Sequence, residues 1–170
     1  MLMHNILLSP HFRLSEFVAS KTAQDHGLDN SPPDEAVENL RALCVHTLEP
    51  LREALGLPVI VTSGYRCKQL NRLLVRHSDK SQHMNGEAAD FYVGWNGPEK
   101  ERPSRRALLI KVFRQIITDD SIVFDQCIIY PSFIHVSYVR SGHKNRGRLT
   151  KAFANGSYAA LTRAQALSLE

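Results

Sequence analysis

The sequence is short of everything that would commit it to a membrane, a disulfide framework or a repeat array. No apolar run approaches the roughly 20 residues that cross a bilayer, so no membrane span is expected. Cysteine appears three times, at Cys44, Cys67 and Cys127, scattered and never as Cys-x-x-Cys. That pattern argues against structural disulfides and against a sulfur-ligated zinc site, and reads as small, partly buried thiols in a reducing compartment. Met1–Pro10 lacks a basic segment followed by a long apolar one, so no secretory signal is read and synthesis in the cytoplasm is expected. There is no internal repeat, no low-complexity tract and no clear linker.

What is present describes one ordinary domain. At 170 residues, 43% hydrophobic and 22% charged, the chain is large enough for a real core and is expected to be a monomer. A net charge of +4 and a pI near 9.1 favour polyanionic company: nucleic acid, an anionic cell wall or a membrane surface. The basic clusters Arg102-Pro103-Ser104-Arg105-Arg106 and His143–Arg148 read as solvated faces. Nucleic-acid binding therefore rests on charge alone.

Periodicity supplies the framework. A short helix is expected near Ser15, with Phe12, Phe17 and Val18 inward. Val37, Leu40, Cys44, Leu48, Leu51 and Leu55 keep a 3.6-residue rhythm after a helix start at Ser31-Pro32-Pro33-Asp34, so a long amphipathic helix is expected, kinked or split at Pro50 and ended by Gly56. Leu57–Thr62 reads as a buried strand, Lys68–Val75 as a short helix, and Ser104–Ile117 as a basic amphipathic helix. Phe124–Tyr130 and Phe133–Tyr138 read as a hairpin about Pro131-Ser132. Residues 1–142 form the expected domain, and 143–170 a basic, at most weakly helical appendage.

The chemistry concentrates in Ser81-Gln-His-Met-Asn-Gly-Glu-Ala-Ala-Asp90. Gly86 opposes a continuous helix, so His83 leaves a loop, and Ala88–Val93 reads as the strand carrying Asp90. An imidazole and a carboxylate suit zinc if a second imidazole joins them; a loop histidine beside a turn aspartate is the plainer alternative. His135 lies mid-strand in Phe133–Tyr138, on the face opposite Ile134, Val136 and Tyr138. Arg66 follows a turn at a strand end, where a surface ion pair is the plain reading.

Taken in order, Ser63-Gly64-Tyr65-Arg66, Leu70-Asn71, Ser81-x-His83-x-x-Gly86-x-Ala88-x-Asp90 and Ile134-His135-Val136-Ser137 resemble the zinc D-Ala-D-Ala carboxypeptidases. That wider group includes phage murein endopeptidases and the zinc-binding domain of hedgehog proteins. The likeness runs from about Phe12 to Tyr138. It implies a small α+β domain whose antiparallel sheet, flanked by helices, carries one Zn2+, with His83, Asp90 and His135 as metal ligands. It further implies that Arg66 is catalytic, facing the scissile carbonyl, and that Ser81 binds the substrate's terminal carboxylate.

One part of the pattern departs. Many relatives place an acidic general base three residues before the last histidine, where this chain has Ser132; a second acidic position in some relatives matches Tyr130. Asp125 and Glu87 are the nearest candidates. Asp125 reaches the metal side only if the hairpin loop is one residue longer than Pro131-Ser132, which proline in a tight turn favours. The expected function is zinc peptidase action on peptidoglycan stem peptides, as a carboxypeptidase or endopeptidase, reached if the protein is released as a phage or prophage lysin is. The alternative is a metal-stabilised, non-catalytic wall-binding or phage structural module.

Overall fold

The computed structural model describes residues 6–75, 77–140, 142 and 144–170. Met1–Asn5 of the N-terminal reading, and His143 at the start of the expected appendage, lie outside them. At the N-terminus, β1 (Leu7–Ser9) and β2 (Phe12–Arg13) form a two-stranded ribbon that leads into α1 (Leu14–Val18). The Glu16 carboxylate accepts the Arg13 backbone N–H at 2.7 Å, so the helix begins just before Ser15. Phe12 and Phe17 meet edge to face, fully buried, each contributing about 1.5–3 kcal/mol through the surface it removes from water. α2 (Lys21–Asp25) follows, capped by the Ser20 hydroxyl.

The long helix forms in three pieces: α3 (Asp34–Leu43), a π-helical turn (Cys44–Leu48) and α4 (Glu49–Leu55). Pro50, near the start of α4, has no N–H to donate to the carbonyl of His46. That carbonyl instead accepts the N–H of Val123 at 3.0 Å, while the Thr47 hydroxyl donates to the Val123 carbonyl at 2.6 Å. The proline's effect is thus a widened turn tied to another part of the chain. Gly56, at φ 61°, ends the helix as expected.

β3 (Val59–Ser63), α5 (Lys68–Leu73), β4 (Ala88–Val93), α6 (Arg105–Thr118), β5 (Gln126–Ile129) and β6 (Ile134–Ser137) follow close to their expected places. The fold is α+β. β7 (Arg148–Ala152) and β8 (Tyr158–Leu161) complete a six-stranded sheet ordered β3-β4-β6-β5-β7-β8, antiparallel except where β7 lies parallel to β5. The stretch expected to be weakly helical and appended therefore holds two strands before its one short helix, Arg163–Leu167. Leu149 joins the core, as does Ala166 of α7 (Arg163–Leu167). Arg106 and Arg114 of α6 hold the chain beyond α7 by donating to the carbonyls of Glu170 and Leu169.

One face of the sheet is apolar: Ala89, Phe91, Cys127, Ile129, Ile134 and Val136 are fully buried, in one core with Val112, Phe113 and Ile116 of α6. Strand alternation sends Asp90, Gln126, Ile128 and His135 to the other face. All three cysteines are buried and unpaired. No helix among the described residues is long and apolar enough to cross a membrane.

Candidate metal centre

Two adjacent strands and one turn build the site. Asp90 of β4 and His135 of β6 are direct cross-strand partners, so their side chains stand side by side on the polar face. His83 arrives from a 3-10 turn (Gln82–Asn85) that Gly86 closes at φ 72°. A Cβ at Gly86 would sit 2.3 Å from the carbonyl oxygen of Ala36 on α3, so only glycine lets the turn pack that closely. On its other side the turn is fixed by the Arg66 N–H, which donates to the His83 carbonyl at 3.1 Å.

These elements bring one atom from each residue to a common point. His83 Nε2 lies 3.2 Å from His135 Nδ1 and 3.3 Å from Asp90 Oδ1, and His135 Nδ1 lies 2.8 Å from Asp90 Oδ1. An ion about 2.0–2.1 Å from tetrahedral nitrogen and oxygen donors holds them about 3.3 Å apart, and two of the three spacings match it. The His83 Nδ1 is 2.7 Å from the Gly64 carbonyl, which can only accept. The proton is therefore on Nδ1, leaving the Nε2 lone pair directed at Asp90 and His135. Burial depresses the pKa of His83, which favours the neutral ring a metal needs. Burial alone would raise that of Asp90, but the charge and N–H hydrogen bonds that the two imidazoles offer when protonated outweigh it and hold the carboxyl well below its usual range. Two nitrogens and one oxygen, with a fixed tautomer and near-tetrahedral spacing, could hold a divalent cation.

Arg66 and Ser81 border the same cavity, of about 430 Å3, and the Arg66 Nη2 lies 3.3 Å from the Ser81 hydroxyl. Among the described residues no carboxylate comes within ion-pair distance of Arg66, so the plain surface-pair reading finds no partner. Burial lowers the guanidinium's pKa somewhat, against the pull of Asp90. All five residues singled out from the motifs thus face one space.

Neither base candidate does. The hairpin turns on Pro131-Ser132 alone, with the Tyr130 N–H donating to the Phe133 carbonyl at 2.9 Å and Ile128 opposite His135. The longer loop is not formed. No non-glycine residue has positive φ among the described residues, so this two-residue turn is not of the primed kind, and Tyr130 and Phe133 stack across it with ring centroids 4.2 Å apart. Asp125 falls on the other side, its carboxylate accepting from Arg146 at 2.5–3.1 Å and from Gln82 at 3.1 Å. Glu87 accepts from Asn85 through its side chain and from Tyr138 through its carbonyl. Of the described residues lining the cavity, Asp90 alone carries a carboxylate. Tyr130, which stands where some relatives carry an acid, also lines it, as do residues the motifs did not point to, chiefly Gln126, Phe133 and Tyr158. The alternation of β5 could have placed Gln126 and Tyr130; nothing local marked Tyr158.

A polar sheet face holding two histidines and an aspartate beside an arginine defines the kind of centre at which metal-dependent hydrolases work. The chain belongs to the Peptidase M15 family, whose model matches residues 10–137, about three quarters of the sequence and every element that carries His83, Asp90 or His135. No curated protein matches the chain.

Proposed function

We propose that this chain is a zinc peptidase that hydrolyses peptide bonds in the stem peptides of bacterial peptidoglycan, as a carboxypeptidase releasing a terminal D-Ala or as an endopeptidase. The carrying observation is the convergence of His83 Nε2, Asp90 Oδ1 and His135 Nδ1 with the His83 tautomer locked by Gly64. His83, Asp90 and His135 would hold the Zn2+, which when bound would supply Lewis acidity, lowering the pKa of a water to near 7 and polarising the substrate carbonyl. Zinc is favoured over harder ions by two imidazole donors.

The protein's own groups do the rest. Gly64 keeps the His83 proton away from the centre, and Asp90 holds His135 in register. Arg66, without a carboxylate partner among the described residues and backed by Ser81, supplies positive charge where negative charge develops on the substrate carbonyl oxygen. Ser81 and Arg66 together suit a substrate carboxylate at this end of the cavity.

A specific observation favours a second reading, a metal-stabilised wall-binding or phage structural module: no carboxylate besides Asp90 lines the cavity among the described residues. Metal analysis of the purified protein with a muropeptide digest separates the two. Cleavage that is lost in His83→Ala and kept in Lys21→Ala supports the peptidase. Stoichiometric zinc with no turnover on any muropeptide supports the module.

A further inference from the structure

The sheet order lays out the cavity as a sequence of chemistries. Arg66 follows β3 at one flank; Asp90 and His135 stand on β4 and β6; Tyr130 follows β5; and Tyr158 opens β8 at the far flank. The metal centre therefore has a cationic, hydroxyl-bearing side and an aromatic side. Three rings form the aromatic side. Tyr130 stacks on Phe133 at 13° between planes, and Tyr158 meets Tyr130 edge to face at 6.1 Å, with the two hydroxyls 3.2 Å apart.

The register explains how Tyr158 reaches across a strand. Ala152 of β7 is the ladder partner of Tyr158 and stands one step beyond the Ile129–Lys151 pair, level with Tyr130. The small side chain of Ala152 leaves room for the two rings to meet across β7. β7 and β8 both lie beyond residue 137, outside the family-matched stretch. The aromatic side is thus completed by a part of the chain the family resemblance does not cover. Tyr158 remains 53% exposed, an amphipathic ring presented to the cavity with its edge fixed.

We propose that Tyr158 is a specificity-determining residue: with Tyr130 and Phe133 it forms a wall that packs against the aliphatic side chain on the acyl side of the scissile peptide bond. This rests on the peptidase reading, because a carboxylate drawn to Arg66 and Ser81 directs the remainder of the peptide across the metal centre toward the rings. Aromatic faces suit aliphatic C–H groups, and Tyr gives contact area at little cost in side-chain freedom.

The test uses a synthetic peptide ending in D-Ala-D-Ala and the zinc-loaded protein. Tyr158→Ala is expected to raise KM about five- to tenfold with kcat within about twofold, and Tyr158→Phe, which keeps the ring, to change KM less than about twofold. A fall in kcat at unchanged KM, or a Phe variant as impaired as the Ala variant, overturns the wall. Calorimetry of the metal-free protein with the same peptide gives a second readout, in which Tyr158→Ala weakens binding about five- to tenfold; equal affinities overturn the proposal. Tyr158-dependent binding without cleavage would remove the peptidase reading and leave the wall standing. Cleavage indifferent to Tyr158 would do the reverse, and a wild-type protein that neither binds nor cleaves the peptide would remove both.

Discussion

Asp90 and Asp125 are aspartates both largely withdrawn from water, with side chains 16% and 3% exposed, yet their surroundings differ in kind. Asp90 is met by two imidazole nitrogens, groups that can turn a lone pair toward a cation. Asp125 is met by the guanidinium and backbone N–H of Arg146 and the side-chain amide of Gln82, which can only donate to it. A metal at Asp125 would confront a positive charge already in place. A buried carboxylate is therefore no sign of a reactive site until its neighbours are counted: one region could receive a cation, the other has closed around its own.

The comparison breaks most sharply at the metal. Asp90→Asn is expected to weaken zinc binding by more than about 100-fold, beyond what loss of an outer hydrogen-bonding partner costs, with metal stoichiometry after dialysis as the check. Asp125→Asn should leave that stoichiometry unchanged; a metal-free D125N protein that is otherwise folded would erase the distinction. Its expected cost is stability, about 1–3 kcal/mol by urea denaturation, kept below the range for fully buried pairs because Arg146 is half exposed.

Acid sharpens the same contrast. Burial pushes the Asp125 carboxyl up, but the hydrogen bonds from Arg146 and Gln82 prevail and its native pKa is lowered. Such a group adds stability that is complete above the unfolded-state value of about 3.9 and is lost as pH falls through the lower native value. The gap in urea midpoint between wild type and Asp125→Asn should therefore be largest at pH 7 and narrow below about pH 4. A gap that stays constant to pH 3 would show that ionisation of Asp125 is not what stabilises. At the small end, Lys21→Ala removes an exposed helix pair with Asp25 and should shift stability by less than about 0.5 kcal/mol.

What could be read from the sequence follows the range of the forces involved. The His83 turn, the Asp90 strand and the outward face of His135 depend on local pattern, a glycine and two-residue alternation, and each lies where the motifs put it. The hairpin register did not yield to the same logic. Pro131 argued for a longer loop on turn rules, whereas stacking of Tyr130 on Phe133 closes the short one. The two C-terminal strands were hidden for another reason. Arg148–Ala152 and Tyr158–Leu161 are short and rich in alanine and charge, so they carry little strand signature of their own. Their identity comes from pairing with β5, a parallel neighbour made from residues about 20 positions earlier. Tyr158, and with it one side of the cavity, went unseen for want of that pairing.

The carbonyl of His46, left without a donor by Pro50, binds the chain at Val123, and Thr47 adds a bond across 76 positions. At the His46 carbonyl the long helix is consequently completed by a distant segment, while the Glu49 N–H still donates to the Cys44 carbonyl within it. An excised peptide covering residues 34–55 would lack that clasp and coil as two poorly coupled halves. In the intact protein these two bonds tie the helix to the segment that leads into β5, so loosening either end would be felt at the other.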